Sequence, residues 1–239
     1  LETTPIITRG GKVERLKTTV PWKQLKMLSI PMKANQVLGS TGKFGKALSF
    51  DGRNAMAAVN QVPFNSDRGT IEAWVFLPLM QKKESAIIWF IRSADGSPWR
   101  FHQLTVPANS RKVQYLTYNG APGNAVSQIT SKEITSEDWV HIAVTYDLAA
   151  KKMELFVNGE SQGTAPYTIP CGGRKGDLNI GARIHNTGNT YQFIGGCQMQ
   201  LDDLRISDTV RPKAIPEKAL EKDANTLLLL GFDGADYMK

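Results

Sequence analysis

The sequence is poor in cysteine, contains no long apolar run and has no clustered charge. Its 239 residues include two cysteines, Cys171 and Cys197, which excludes a disulfide-dense small scaffold and leaves no C-x-x-C zinc pair. In an oxidising compartment the two thiols could form a disulfide, which would stabilise the fold by about 3 kcal/mol by lowering the entropy of the unfolded chain. The alternative is that both thiols stay reduced. No apolar stretch approaches the roughly 20 residues that cross a bilayer, so we expect no transmembrane helix.

Motifs of several enzyme classes are also absent. The three histidines, His102, His141 and His185, are scattered along the chain, with no H-E-x-x-H zinc motif and no G-x-S-x-G nucleophile elbow. There is no glycine-rich phosphate-binding loop of the Walker or dinucleotide type. The sequence therefore gives no support to zinc, serine or nucleotide chemistry.

The charge balance is basic, with 29 lysines and arginines against 22 aspartates and glutamates and a net charge of +7. This excess favours anionic partners such as an acidic glycan or polysaccharide, nucleic acid or an anionic surface. The alternative is a solvated basic surface, because no basic run exceeds two residues. The basic stripe with interleaved aromatics that nucleic-acid-binding domains carry is missing, so we expect no nucleic acid partner.

The composition is that of a folded domain, with 41% hydrophobic and 21% charged residues. All-β domains often run to about 200–250 residues. We therefore predict a single domain over residues 1–239, in which residues 1–35 form a basic arm packed on the rest. Because the chain begins at Leu1 and shows no signal sequence, we expect a processed form.

Strand patterns dominate the chain. Residues 139–147, WVHIAVTYD, alternate as a half-buried strand does, and Asn158-Gly159 predicts a tight hairpin because both residues tolerate positive φ. Strands are predicted at residues 48–50, 55–59, 69–78, 85–92, 112–119, 139–147, 152–158, 160–166, 177–181, 198–206 and 226–232. One short helix is predicted at residues 215–223, with Pro216 at its first position. The pattern indicates an all-β antiparallel sandwich or barrel.

Three phrases in a fixed order carry a family resemblance. They are GKFGKALSFDG at residues 42–52, the strand and hairpin at 139–159, and LDDLRIS at 201–207 followed by NTLLLLGFDG at 225–234. Together they resemble the laminin-G-like jelly-roll domains of the concanavalin A-like lectin/glucanase superfamily, over roughly residues 37–234. The resemblance implies a two-sheet jelly-roll sandwich with a concave face. It also implies a binding module that is extracellular, periplasmic or on the cell surface, often within a longer chain.

The same resemblance implies a structural calcium ion. Calcium takes about six to eight oxygen ligands from carboxylates and carbonyls. By resemblance, Asp202 supplies a carboxylate and Asp51 or Gly52 supplies an oxygen, with Asp233 as a lesser candidate. The alternative is that these aspartates only bind turn amides or neighbouring arginines.

Glycoside hydrolysis is a further hypothesis, because the superfamily contains glycosidases. Hydrolysis needs two carboxylates about 5–9.5 Å apart, which on one strand face means acids two or four positions apart. No strand has that pattern, and Asp202 and Asp203 are adjacent, so they are expected to face apart. We therefore predict a protein that is not an enzyme.

Carbohydrate binding is the hypothesis that the sequence favours. Sugar sites combine aromatic faces with amide and guanidinium groups on loops, and the predicted loops at residues 95–102 and 182–192 have this mixture. The candidate ligand-binding residues are Trp99, Arg100, Tyr118, Asn119, Arg183, His185, Asn189 and Tyr191. Two alternatives stay open: Trp99 and Tyr191 could be lids over the core edge, and the domain could be a structural or adhesive module that contacts another protein.

Overall fold

The computed structural model describes residues 6–9, 12–15, 38–52, 56–78, 80–81, 85–93, 100–119, 127–170, 174–186 and 191–233. These residues form β-strands and no helix. The strands are β1 (Ile6–Arg9), β2 (Lys12–Arg15), β3 (Leu38–Thr41), β4 (Lys46–Asp51), β5 (Ala57–Pro63), β6 (Arg68–Phe76), β7 (Ser85–Ser93), β8 (Arg100–Pro107), β9 (Gln114–Asn119), β10 (Ser127–Thr130), β11 (Val140–Asp147), β12 (Lys152–Val157), β13 (Glu160–Pro166), β14 (Lys175–Ile180), β15 (Arg183–Asn186), β16 (Tyr191–Ile194), β17 (Gln198–Ser207) and β18 (Thr226–Leu230).

Two antiparallel sheets build the fold. A six-stranded sheet has the order β10-β9-β8-β7-β14-β5. An eight-stranded sheet has the order β13-β12-β11-β6-β17-β4-β3, with β18 paired to the second half of β17. Two separate hairpins, β1-β2 and β15-β16, complete the described strands. The predicted two-sheet antiparallel sandwich is therefore confirmed, and its strand order is consistent with a jelly roll.

The core lies between the inner faces of the two sheets. Trp89 and Leu104 from the six-stranded sheet and Ile71 and Ile142 from the eight-stranded sheet are all completely buried there. Alternate residues of each strand supply this core because successive side chains point to opposite sides of a sheet. Such extensive apolar burial is the main stabilising contribution to a fold without a described disulfide.

The predicted meander over residues 139–166 is confirmed. Strands β11, β12 and β13 pair antiparallel in sequence order. The turn between β12 and β13 has φ values of 48° at Asn158 and 73° at Gly159, as its Asn-Gly sequence predicts. The Asn158 carboxamide also accepts a hydrogen bond from the His141 amide at 2.8 Å, which ties the turn to β11.

The predicted helix at residues 215–223 is wrong. Residues 208–225, here called the strap, are irregular and cross the outer face of the eight-stranded sheet between β17 and β18. Side chains of β17 take the backbone groups that a helix would use: the Leu220 amide donates to Asp203 at 2.7 Å, and Arg205 donates to the Glu221 carbonyl at 3.2 Å. Tertiary hydrogen bonds thus override a modest local helix propensity.

The neck of the strap is closed by hydrogen bonds. The Asp208 amide donates to the Asn225 carbonyl at 3.0 Å. The guanidinium of Arg211 forms a two-pronged pair with Asp223, with N–O distances of 2.8 and 2.7 Å. Planar pairing of this kind fixes orientation as well as distance, so the two ends of the strap stay together.

A buried ion network lies beneath the strap. Glu72 of β6 accepts hydrogen bonds from His141 at 3.1 Å and from the Arg205 Nε at 2.8 Å. Burial alone would raise the pKa of Glu72, but the His141 hydrogen bond and the Arg205 charge outweigh it and hold that pKa below its ordinary value. Arg211 of the strap approaches the same carboxylate at 3.9 Å.

Candidate functional site

The outer face of the six-stranded sheet, turned away from the core, carries aromatic and polar side chains. Strand β8 alternates between its two sides, so His102 and Leu104 are fully buried on the core side. The outward residues are Phe101, Gln103 and Thr105 on β8 and, directly opposite them on β9, Tyr118, Leu116 and Gln114. Such a surface can contact the apolar side of a ring-shaped ligand while amides and hydroxyls meet its polar groups.

The adjoining ends of β8 and β9, here called the aromatic end, consist of Arg100, Phe101, Tyr118 and Asn119, of which Phe101 and Tyr118 are outward. The rings of Phe101 and Tyr118 are stacked, with centroids 5.4 Å apart and planes inclined by 11°. Arg100 and Asn119 are the next cross-strand pair, and Arg100 is half-buried. Since successive strand residues point to opposite sides of a sheet, Arg100 and Asn119 belong to the side opposite Phe101 and Tyr118, at the ends of the same two strands.

The structure brings together only part of the predicted ligand-binding set. Arg100, Tyr118 and Asn119 meet at the aromatic end, although Arg100 begins a strand that the sequence analysis assigned to a loop. Trp99 and Asn189 lie outside the described residues. The prediction for these positions stays a prediction.

The second predicted cluster lies in the β15-β16 hairpin and consists of Arg183, His185 and Tyr191. The hairpin follows β14. Ile180, the last residue of β14, pairs with Trp89 of β7. The Gly181 amide then donates a hydrogen bond to the carbonyl of Ile88, the preceding residue of β7. The aromatic end lies toward the other end of β7, where Phe101 pairs with Arg92. The two predicted clusters therefore adjoin β7 at different points along its length.

Phe101 and Gln103 were missed by the sequence analysis. The strand RFHQLTVP has the period-two alternation that would have revealed them. The Gly and Pro residues just before it gave a strong loop signal, which extended the predicted loop to residue 102. The alternation of Phe101, Gln103 and Thr105 on one side is the signal that could have found the face.

A second polar cluster lies at the outer face of the eight-stranded sheet and contains Asp202, Asp203 and Asp233. The Phe44 amide donates to Asp202 Oδ2 at 3.0 Å, and the Lys46 amide donates to Asp233 Oδ1 at 2.7 Å. These carboxylates therefore hold the loop between β3 and β4, which is the GKFG phrase of the sequence.

The glycines of that loop permit this close approach. A Cβ on Gly42 would lie 2.8 Å from the Lys46 carbonyl oxygen and would also overlap Asp202. A Cβ on Gly45, whose φ is +85°, would overlap the Asp233 carboxylate. The phrase GKFG thus has a mechanical explanation, in which two glycines let backbone amides reach two aspartates.

Asp203 departs from the expected strand alternation. Its φ is 48°, and the pairing of β17 with β6 shifts register between Asp202 and Arg205, which is a bulge. Asp203 is therefore not simply turned away from Asp202. Its carboxylate reaches the strap at Leu220, and its charge contributes to raising the pKa of Asp202.

The electrostatics of this cluster are unfavourable for three ionised acids. Burial raises the pKa of Asp202 to about 7, the Phe44 hydrogen bond opposes that rise, and the charges of Asp203 and Asp233 add to it. Burial also raises the pKa of Asp203. A hydrogen bond from the Asp203 amide also lowers the pKa of Asp202. By geometry, the buried Asp202 Oδ1 has no hydrogen-bond donor among the described residues, which leaves a polar atom that needs a donor or a cation.

Asp51 and Gly52, the other predicted metal ligands, do not adjoin Asp202. Asp51 pairs with Gln198, four positions before Asp202 on β17, which corresponds to about 13 Å along the strand. The structure instead places Asp233, the lesser candidate of the sequence analysis, beside Asp202. Within the described ranges, no three His, Cys, Asp or Glu side chains converge closely enough to form a metal site by themselves.

Cys197 is a free thiol at the start of β17 and is fully buried. Burial raises the pKa of this thiol well above its usual range, which makes it unreactive. Cys171, its potential disulfide partner, lies outside the described residues.

Comparisons with known proteins identify the fold and the family. The described part of the chain contains no helix long and apolar enough to cross a membrane. Among curated proteins, none matches the chain significantly in sequence. A laminin-G family model, described as the concanavalin A-like lectin/glucanases superfamily, matches residues 51–214.

Three solved structures of different proteins have a similar fold. The binding domain of Paraclostridial Mosquitocidal Protein 1 has a TM-score of 0.56 at 13% identity, covering 89% of this chain and 50% of that one, so this chain spans half of its length. Domain 4 of AbnA, a GH43 extracellular arabinanase from Geobacillus stearothermophilus solved with arabinotriose, has a TM-score of 0.53 at 15% identity and covers 74% and 78%. The heptameric SAP-like pentraxin from Limulus polyphemus has a TM-score of 0.51 at 13% identity and covers 83% and 91%. At these identities the likeness concerns the fold, and together with the family match it shows that the chain belongs to the concanavalin A-like lectin/glucanase superfamily.

Proposed function

We propose that the chain is a non-catalytic glycan- or polysaccharide-binding module, secreted or displayed on a cell surface, whose ligand contacts the aromatic end. The observation that carries this proposal is the stacked, half-buried pair of Phe101 and Tyr118 on an outward sheet face. Aromatic rings of this kind contact the apolar face of a sugar ring.

The domain of the arabinanase supports this proposal, because a domain of this fold was solved with arabinotriose. The distribution of acids in this chain also favours binding over hydrolysis. Asp202, Asp203 and Asp233 are engaged by backbone amides of neighbouring loops, and Glu72 is engaged by His141 and Arg205. Carboxylates held in this way are poorly placed to act as the acid and base of a glycosidase.

Replacing Tyr118 with alanine is expected to weaken sugar binding by about 30-fold or more, because a central aromatic contact contributes about 2 kcal/mol or more. The probe is the tightest-binding oligosaccharide from an immobilised panel of neutral, uronic and sulfated glycans, measured by titration calorimetry. Binding that disappears at high salt would identify the ligand as acidic.

Two matched variants locate the site. Gln128→Ala changes an exposed residue of the edge strand β10, and Tyr191→Ala changes the hairpin at the other end of β7; both are expected to bind as the unaltered chain does. Loss of binding in Tyr191→Ala alone would move the site to the hairpin. A panel without any bound glycan, together with capture of a protein partner, would favour an adhesive domain and contradict the proposal.

We also propose that a structural calcium ion binds beside Asp202. The supporting observation is the buried Asp202 Oδ1, which has no hydrogen-bond donor among the described residues. Burial raises the pKa values of Asp202 and Asp203, and the charge of Asp233 adds to both rises. Each carboxylate gives one oxygen to a backbone amide and keeps a second oxygen, which is the kind of ligand a hard cation prefers. Bound calcium would offset the repulsion among the acids.

Adding calcium chloride to chelator-treated protein is expected to raise the melting temperature by about 5–10 °C, since ligand at 100 times Kd stabilises a fold by about 2.7 kcal/mol. The response should be lost in Asp202→Asn and Asp233→Asn and kept in Asp51→Asn, as followed by differential scanning calorimetry. An unchanged melting temperature, or a response that depends on Asp51, would contradict this assignment.

A further inference from the structure

Gln103 lies on the outer face of the six-stranded sheet, one outward position further along β8 from Phe101. The residue is 94% buried, with a relative exposure of 6%, and its Oε1 accepts no hydrogen bond from any residue that the structure describes. A buried carbonyl oxygen left without a donor costs about 1–3 kcal/mol relative to a satisfied one. Among the described residues, no contact of Oε1 accounts for a glutamine at this position.

The positions around Gln103 explain why its oxygen has no donor. Directly opposite on β9 is Leu116, an apolar residue. Phe101 and Thr105 lie on β8, each two positions from Gln103. The hydroxyl of Thr105 donates a hydrogen bond to the Gln114 carbonyl at 3.4 Å. None of these neighbours offers Gln103 a hydrogen bond.

A second carboxamide occupies the same row of the sheet. Asn179 of β14 pairs with Phe90 of β7, which in turn pairs with Gln103. Two strand spacings, about 10 Å, separate the two amides. Asn179 is also buried, with 8% exposure. The polar groups of the face thus extend inward from the aromatic end along the sheet.

We propose that Gln103 is a specificity-determining residue of the proposed glycan site, on which this inference rests, and that its Oε1 accepts a hydrogen bond from a hydroxyl of a neutral sugar ring. In the structure Oε1 is shielded from solvent, so this contact requires a rotamer change of the glutamine side chain. The bond gained from the ligand then satisfies an acceptor that the protein leaves unpaired.

The chemistry of the acceptor selects the ligand class. An oxygen without a donor needs an O–H or N–H group, which a carboxylate or sulfate substituent cannot supply. The group that meets Gln103 is therefore a hydroxyl of a sugar ring and not a charged substituent, and the ligand extends from the aromatic end toward Asn179. The basic net charge of the chain does not determine which group occupies this position.

The variant Gln103→Leu separates this role from a structural one. Leucine has similar volume and removes the unpaired oxygen, so the midpoint of urea unfolding is expected to stay the same or rise. Affinity for the best-bound neutral oligosaccharide of the panel is expected to fall about tenfold, the equivalent of one lost hydrogen bond. A monodeoxy derivative of that sugar should bind the unaltered chain about tenfold more weakly and bind Gln103→Leu no more weakly than the parent sugar does.

Gln162→Leu is the matched control, because Gln162 lies on β13 of the other sheet and its amide already donates to the Glu160 carbonyl at 3.1 Å. It should bind the sugar normally and be slightly less stable. A clear loss of stability in Gln103→Leu would overturn the inference without any ligand measurement, since it would show a structural hydrogen bond. Unchanged sugar affinity in that variant would overturn it while leaving the proposed function intact, whereas a chain that binds no glycan of the panel would overturn both.

Discussion

Replacing Glu72 with leucine is expected to lower the free energy of unfolding by about 3–5 kcal/mol, the usual cost of removing one partner from a buried charged network. The carboxylate lies under the strap and is the shared partner of His141 and Arg205. Without it, the Arg205 guanidinium keeps its charge in a mostly buried position, since its side chain is only 13% exposed. Equilibrium urea unfolding, with the slope compared between variants, measures the loss.

Glu154→Leu provides the matched control on the same sheet. Glu154 pairs with Lys152 at 2.8 Å, but the lysine is 53% exposed, so its loss should cost less than about 1 kcal/mol. Equal losses in the two variants would contradict the burial argument, and a loss below about 1 kcal/mol for Glu72→Leu would show that the network is not a stabilising contact.

The lowered pKa of Glu72 also fixes the direction of a pH effect. A carboxyl group whose pKa is lower in the folded state stabilises the fold fully above its ordinary value of 4.5, and this stabilisation is lost as the pH falls through the lowered pKa. The difference in stability between the unaltered chain and Glu72→Leu should therefore shrink below about pH 4.5. A difference that grows on acidification would contradict the assignment.

Replacing Trp74 with alanine is expected to destabilise the fold by about 3–5 kcal/mol, as large-to-small changes at buried aromatic positions do. Trp74 is 3% exposed. Its ring contacts Phe44 edge-on at 5.8 Å and His141 at 5.3 Å, and the Lys43 ammonium lies 4.9 Å from its centroid. The indole therefore anchors the GKFG loop on the outside of the eight-stranded sheet, and alanine would leave a cavity beneath it.

Trp74→Phe separates packing from hydrogen bonding at this position. The indole N–H of Trp74 is buried and has no acceptor among the described residues, so phenylalanine removes an unsatisfied donor and keeps most of the ring. Its expected cost is below about 1.5 kcal/mol. Thermal and urea unfolding should show that the alanine variant is much less stable than the phenylalanine variant. Equal losses of stability in the two variants would mean that the N–H has a partner and that packing is not the main contribution.

Local signals predicted much of the sandwich because they depend on neighbouring residues alone. The Asn158-Gly159 turn and the alternation of residues 139–147 gave the β11–β13 meander correctly, since turn geometry and side-chain alternation are short-range properties. The strap failed as a helix because the groups that decide its conformation, Asp203 and Arg205, lie on another strand. A local pattern carries no information about such partners.

The candidate sites also combine features set by neighbouring residues with features set by distant parts of the chain. Arg100, Tyr118 and Asn119 were predicted because aromatic and polar residues at strand ends are visible in sequence, while their position relative to Arg183 and Tyr191 is set by pairing across the sheet. Asp202 was predicted through the resemblance, and its role stays a prediction. Its neighbour Asp233 arrives from the far end of the chain, and the bulge at Asp203 has no marker in the residues LDDLRIS themselves.

The closed neck of the strap has a consequence for how this domain can vary. Asp208 and Asn225 are hydrogen-bonded to each other, and Arg211 and Leu220 are held on either side of the mostly exposed residues 212–218. These contacts do not depend on the length of chain between Arg211 and Leu220, and each doubling of a loop costs only about 0.6 kcal/mol in closure entropy. The exposed stretch around Glu217 and Lys218 is therefore a point where an inserted peptide, or even a whole additional domain, would extend outward without disturbing either sheet.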